Sequence, residues 1–169
     1  MTNRLSLLLL PFFLLGLQPA DAVARVLANH GDWTVIEEKE GGGKVCFVAT
    51  APTKSEGKYK KRGEIFLLVT HRPAEKANGV VSIQTGYAYK ARSDATVRIK
   101  TKAFKLFTDG ENAWARDNAT DRALVNAMKS GNRLVVSGIS GRGTRTTDTY
   151  SLAGFTAAYK AASKACGVK

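Results

Sequence analysis

Beyond residue 30 the chain alternates apolar and polar positions in short runs, and Gly, Asn or Asp interrupts each run before it reaches helical length. A two-residue period bounded by turn formers marks half-buried strands, because successive side chains of a strand point to opposite faces. The pattern predicts strands at 31–38 (GDWTVIEE), 44–50, 64–70, 80–86, 96–101, 104–108, 112–115, 133–139 and 144–151. Many short strands with turns between them predict an all-β dominated fold, an antiparallel β-sandwich or small barrel.

Two segments follow the helical period instead. In ATDRALVNAMKSGN, Thr120 stands where an N-cap is expected, Leu124, Val125 and Met128 recur on one face, and Gly131 follows the last turn, so a short helix is predicted over 121–130. In the closing segment Leu152, Phe155, Tyr159, Ala162 and Cys166 share a stripe about 80° wide at ~100° per residue. Ser151 would cap its start and Gly167 its end, and Lys160 and Lys164 fall off the stripe. This predicts a C-terminal helix packed on the sheet with Cys166 facing the core.

The first residues read differently. MTNRLSLLLLPFFLLGLQPADAVA has a cation at Arg4, an apolar run from Leu5 to Leu17, and small residues at Ala20, Ala22 and Ala24. That is the pattern of a secretory leader, residues 1–22, with cleavage expected after Ala22 or Ala24. The run is broken by Ser6, Pro11 and Gly16 and is shorter than the roughly 20 residues that span a bilayer. Residues 23–169 are then expected to form a single β-rich domain without a transmembrane segment, periplasmic or secreted.

Composition adds charge and sulfur. The chain carries 26 Lys plus Arg against 14 Asp plus Glu, a net charge of +12, which attracts polyanions and says nothing about fold. The two cysteines of an exported chain, Cys46 in an early strand and Cys166 in the tail helix, are expected to form one disulfide enclosing about 120 residues. The competing reading makes Cys46 a nucleophile, but it falls mid-strand. Cys166 falls at a helix C-terminus, where the dipole disfavours a thiolate.

Several motifs, taken in order, resemble the invasion-associated locus B proteins of Gram-negative bacteria: GDW (31–33), CFVATAP (46–52), RGEIFLLVTHRP (62–73), FKLF (104–107), AW (113–114), LVNAMKSGN (124–132), SGRGTRTTDTYSL (140–152) and GFTAAYKAASKAC (154–166). The resemblance implies a periplasmic or secreted β-rich domain with a helix near its C-terminus and, in some pathogens, a link to host-cell entry. It supplies no catalytic residues to carry over. The chain departs from the wider family, in which a cysteine often follows the N-terminal Trp closely; here Trp33 is followed by Thr34, Val35, Ile36 and Glu37.

Candidate chemistry concentrates in two basic segments. KSEGKYKKRGE places Lys54, Lys58, Lys60, Lys61 and Arg62 around Tyr59, either as an anion-binding loop or as a solvated hairpin whose lysines guard an edge strand. In ISGRGTRTTDTY, Arg142 and Arg145 flank Gly143, either as an anion site approached by glycine backbone or as a plain turn. Lys58, Lys60, Lys61, Arg62, Arg142 and Arg145 are therefore the possible anion-binding residues.

No catalytic constellation is evident. His30 and His71 lack metal-ligand spacing, no GxSxG elbow occurs, and Glu37 and Glu38 point to opposite faces of a strand. Asp117 and Asp121 suit a helix start. The aromatics, including Trp33, Phe66, Phe104, Phe107, Trp114 and Phe155, are expected mainly in the core, although Tyr87 and Tyr89 could face outward beside Lys90.

No catalytic residue, metal or cofactor is expected. The partner would be an unknown protein or an anionic surface, and export argues against nucleic acid. The expectation is a non-enzymatic binding domain of the cell envelope or of host interaction, with an unrecognised periplasmic enzyme or a structural envelope protein as alternatives.

Overall fold

The computed structural model describes residues 24–168; the predicted leader lies outside the described residues. Eleven strands occur: β1 (Arg25–His30), β2 (Trp33–Glu40), β3 (Gly43–Thr50), β4 (Lys54–Gly57), β5 (Phe66–Arg72), β6 (Ala77–Gln84), β7 (Asp94–Ile99), β8 (Lys102–Asp109), β9 (Asn112–Trp114), β10 (Arg133–Ile139) and β11 (Arg145–Ser151). Helices α1 (Asn118–Ser130) and α2 (Phe155–Ala165), with a single 3-10 turn at Pro73–Glu75, complete the elements of the described residues. The strands form one sheet in the order β1-β2-β3-β5-β6-β9-β8-β7-β10-β11-β4, and the neighbours pair antiparallel.

The sheet rolls back on itself. Strands lie about 4.8 Å apart, so β2 and β11, eight places apart in the order, would be separated by about 38 Å in a flat sheet. Yet the indole N–H of Trp33 on β2 donates to the carbonyl of Ser151 on β11 at 3.1 Å. The inward positions of every second residue, such as Val35, Val48, Val69, Leu134, Val136 and Tyr150, thereby join one buried cluster. β1 and β4 remain at the two ends of the order, so the roll stops short of a closed barrel. The β-dominated, antiparallel architecture with a short helix and a C-terminal helix matches the periodicity.

Those end strands are the two that the pattern did not predict. β4 is Lys-Ser-Glu-Gly, exposed throughout, and β1 leaves Val26 exposed and slips register between Val26 and Ala28. An edge strand buries little and is protected by charge or irregularity, so it lacks the alternation that reveals inner strands.

The helix starts also differ from expectation. Helix α1 begins earlier, with Asp117 rather than Thr120 as the N-cap: its carboxylate accepts the Thr120 N–H at 2.7 Å. The face carrying Leu124, Val125 and Met128 is buried as predicted. Ser151 does not cap α2 but ends β11; the turn at Ala153–Gly154 intervenes, and the helix starts at Phe155. At its other end the N–H of Val168 reaches the carbonyl of Ser163 and that of Gly167 reaches Lys164, with Gly167 at φ +66°. This is the double-bonded glycine termination expected of a helix end.

Gly154 has a second role. It stands at φ +88° against the backbone of His30 and Gly31, too close for any side chain. The turn between β1 and β2 therefore docks onto the start of α2, where the Asp32 N–H donates to the Ala153 carbonyl at 3.3 Å. Trp33 packs against Phe155 there with ring centroids 4.8 Å apart. The GDW motif thus holds the helix start to the sheet.

Cys46 and Cys166 form the predicted disulfide, with their Cα atoms 5.8 Å apart, joining β3 to the end of α2 across 120 residues. On the loop-closure model such a bridge stabilises by up to ~4–5 kcal/mol. Beside it, His71 on β5 is fully buried and accepts the Gly79 N–H at Nδ1 (3.2 Å). The proton of the neutral ring is thus on Nε2, which donates to the Ser163 hydroxyl of α2 at 3.1 Å. Tyr159 meets the same imidazole edge-on at 5.0 Å.

Burial, and secondarily the Lys129 ammonium, push the His71 pKa below its ordinary 6.5. The unfolded chain therefore binds this proton more readily, and folding stability is fully present above about pH 6.5 and declines as the pH falls below it. We predict that the stability advantage of the natural chain over His71→Asn shrinks between pH 7 and pH 5 in denaturant titrations. A difference that is constant across this range would contradict a buried neutral His71.

Candidate functional site

On β11 every second residue faces inward, and Asp148 occupies one of these positions between Thr146 and Tyr150. A carboxylate there must be paired, since an isolated buried charge is heavily penalised. The pairing comes from Arg62, in the segment joining β4 to β5. Its Nη1 and Nη2 donate to the two Asp148 oxygens at 2.8 and 2.6 Å, and its Nε donates to the Thr85 carbonyl at 2.6 Å. The two side chains are 3% and 1% exposed. Burial alone would pull the guanidinium pKa down, but its hydrogen bonds to and attraction by Asp148 outweigh this and raise it.

The guanidinium also lies over two tyrosine rings, Tyr59 at 5.4 Å and Tyr87 at 4.9 Å from the centroids. The Tyr87 hydroxyl shares a hydrogen bond of 2.6 Å with Thr146. One fork-shaped side chain thus ties the basic segment to β11 and to the end of β6, and Gly63 adds a bond from its N–H to the Gly86 carbonyl at 2.9 Å. The remaining cations of the segment are held at the surface around this anchor.

The two basic segments meet. A cleft of about 830 Å³ is lined on one side by Lys58, Tyr59, Lys60 and Lys61, and on the other by Arg142 with Ser140 and Thr144. Gly63, Gly86, Ala88 and Gly141 contribute mostly backbone, Tyr87 and Thr146 also line it, and Glu111 is the one acid of the lining. A second, more open concavity between Gly57, Lys58, Gly143, Thr144 and Arg145 adjoins it through Lys58 and Thr144. Among the described residues, Lys58, Lys60, Lys61, Arg142 and Arg145 make no ion pair.

Of the six basic residues singled out by sequence, four line the cleft at its surface and Arg145 lines the adjoining concavity. Arg62 also borders the cleft but turns inward, and three of its five N–H donors are taken by Asp148 and Thr85. The Gly-Arg-Gly turn is also simpler than an anion nest. Its amides are used internally: Ser140 N–H to Thr144 O, Gly141 to Ala88 O, Gly143 to Ser140 O, and Thr144 to the Ser140 hydroxyl. Of the turn's amides, the Arg142 N–H alone has no partner among the described residues, so any anion recognition there falls to Arg142, through its side chain and its own amide. Lys54, by contrast, lies on the edge strand β4, as the edge-guarding reading expects.

Asp148 and Tyr87 were missed. The alternation of TRTTDTYS shares one face among Thr146, Asp148 and Tyr150, so a charge directed inward was visible there. Nothing in the sequence indicates its partner, 86 residues away. Tyr87 and Tyr89 turn inward rather than toward solvent, ring against ring at 5.3 Å. Their bulk explains Gly138 on β10, where a Cβ would collide with both rings. Burial raises the pKa of both, as it does that of Tyr150. Phe107 and Trp114, expected in the core, are instead only half-buried and pair with each other at 5.6 Å.

The titratable clusters have structural partners. Glu37 bonds Lys44 and Arg25, which lower its pKa. The Thr120 N–H lowers that of Asp117, whereas burial raises that of Asp121, which accepts the Val81 N–H at 2.9 Å. Ser163 and His71 touch as a nucleophile and base would, but Nδ1 already accepts from Gly79, so Nε2 donates its proton to the hydroxyl and cannot remove one.

A family model described as Invasion associated locus B (IalB) protein matches residues 33–163, and the chain belongs to this family. No curated protein and no solved structure matches it. The matched span contains Arg62, Asp148 and both walls of the cleft.

Arg62→Met leaves Asp148 buried without a partner and is predicted to cost about 3–5 kcal/mol in denaturant unfolding. Adding Asp148→Leu should recover most of the loss, because an apolar pair can replace a buried ion pair. A loss below about 1 kcal/mol for Arg62→Met, the range of surface pairs, would contradict the buried linkage.

Proposed function

We propose that this member of the IalB family is an exported, non-enzymatic interaction domain of the cell envelope or of the host interface, and that it holds an anionic partner in the cleft between its two basic segments. The observation that carries this reading is convergence. Segments about eighty residues apart in sequence bring Lys58, Lys60, Lys61 and Arg142 to one cleft, where among the described residues none of the four forms an ion pair and Glu111 is the one acid of the lining. Cations arranged purely for solubility would be dispersed; gathered around a concavity they reinforce one another's field.

Export is supported by the leader pattern, the family and the disulfide, which forms and persists in oxidising compartments. Among the described residues no helix is long and apolar enough to cross a membrane. The non-enzymatic reading is supported by the tautomer of His71 and by the structural partners of the acids.

Binding to heparin or lipopolysaccharide is predicted to weaken steeply between about 50 and about 200 mM salt. The log–log slope should be about −3 for four neutralised charges at roughly 0.7–0.9 each. The combined variant Lys58→Gln, Lys60→Gln, Lys61→Gln and Arg142→Gln should flatten that slope and leave the melting temperature near its natural value. Salt-insensitive binding, or none, would refute the proposal.

A further inference from the structure

We infer that the cleft takes an extended acidic saccharide, with Tyr59 as the platform for a sugar ring and the unpaired cations as contacts for successive sulfate or phosphate groups. This rests on the anion-binding reading above and narrows it to one ligand class.

Three observations support the narrowing. The first concerns how charge is presented. A site for a single phosphate is usually built from converging backbone amides, and here the amides of Ser140, Gly141, Gly143 and Thr144 are already bonded within the protein. That leaves the single Arg142 amide beside long, separate side chains, which suit several spaced charges better than one.

The second is shape. The cleft continues through Lys58 and Thr144 into the concavity lined by Arg145, so the cations form a track rather than a pocket. The glycine-rich floor at Gly63, Gly86 and Gly141 places few side chains in the way of a broad ligand. Gly86, at φ +66°, is packed so closely on Gly63 that a side chain would not fit.

The third is Tyr59. Among the described residues it is one of two large apolar side chains counted as exposed, at 37%. One face of its ring rests on Arg62, which Asp148 holds fixed, so the ring is oriented rather than free. Nucleic acid would call for several aromatic platforms for successive bases; the track offers one exposed ring, since Tyr87, which also lines the cleft, is half-buried against Tyr89 with its hydroxyl bonded to Thr146. The C–H face of a sugar needs only one, and the hydroxyls of Ser140 and Thr144 border the same cleft.

The test uses the disulfide-bonded exported chain and calorimetric titration with a sulfated octasaccharide and disaccharide, a deacylated phosphorylated lipopolysaccharide saccharide, polyglutamate and single-stranded oligodeoxythymidine. The octasaccharide should bind at least about tenfold more tightly than the disaccharide, since each further neutralised charge adds counterion release. Tyr59→Ala should weaken saccharide binding about three- to tenfold, the range of aromatic contacts, while leaving polyglutamate binding and the salt slope unchanged. Tyr59→Phe should restore the natural affinity.

A preference for the phosphorylated arm would identify an envelope saccharide, and a preference for the sulfated arm a host-type one; either supports the inference. Polyglutamate or oligodeoxythymidine binding as tightly as the octasaccharide, with Tyr59→Ala silent, would overturn the saccharide inference and leave the anionic cleft standing. Failure of every polyanion to bind would overturn both.

Discussion

The buried pair of Arg62 and Asp148 is the constraint on which the functional end of the molecule depends. Asp148 faces inward because β11 alternates, and once buried it demands a cation. Arg62 meets that demand through a planar fork whose directions are fixed, so the segment it belongs to can dock in one register only. An apolar anchor of equal size would bury similar area but would not choose between neighbouring positions. The cleft is thus a consequence of the pair: the lysines before Arg62 are presented opposite Arg142 because Arg62 itself is turned away from solvent.

A second set of anchors works where α2 crosses the rolled sheet. The disulfide joins β3 to the end of α2, His71 links β5 to the same helix, and the GDW turn closes on Gly154 at its start. These contacts engage α2 at its start and at its end, so the helix is held against β1, β2, β3 and β5 along its length. The two anchoring systems use different chemistry. Around α2 a disulfide, aromatic packing and hydrogen bonds hold the helix, whereas at the cleft the anchor is a buried ion pair.

The inner strands were legible because one face of each is buried, and β10 (Arg133–Ile139) has the predicted bounds. β1 and β4 were not, since edge strands protected by charge or a bulge do not alternate. Cys46 and Cys166 were legible as a pair because two cysteines behind a leader-like segment allow one intramolecular bridge. The basic loops were visible as charge, but charge alone did not reveal that they face each other, nor that Arg62 is buried. Pairing across a rolled sheet is set by tertiary geometry, and the only trace in sequence was an aspartate on the apolar face of β11.

The account joins an IalB-family fold to one binding surface assembled from two distant segments. It is tested most directly by amide chemical-shift mapping of the isotope-labelled, disulfide-intact protein during titration with a sulfated oligosaccharide. The account predicts that residues 57–63 and 140–146 respond together and follow a single binding isotherm, while the amides around Cys46, His71 and α2 stay unchanged. Shifts confined to one basic segment, or spread over surface lysines elsewhere such as Lys102 and Lys105, would contradict it.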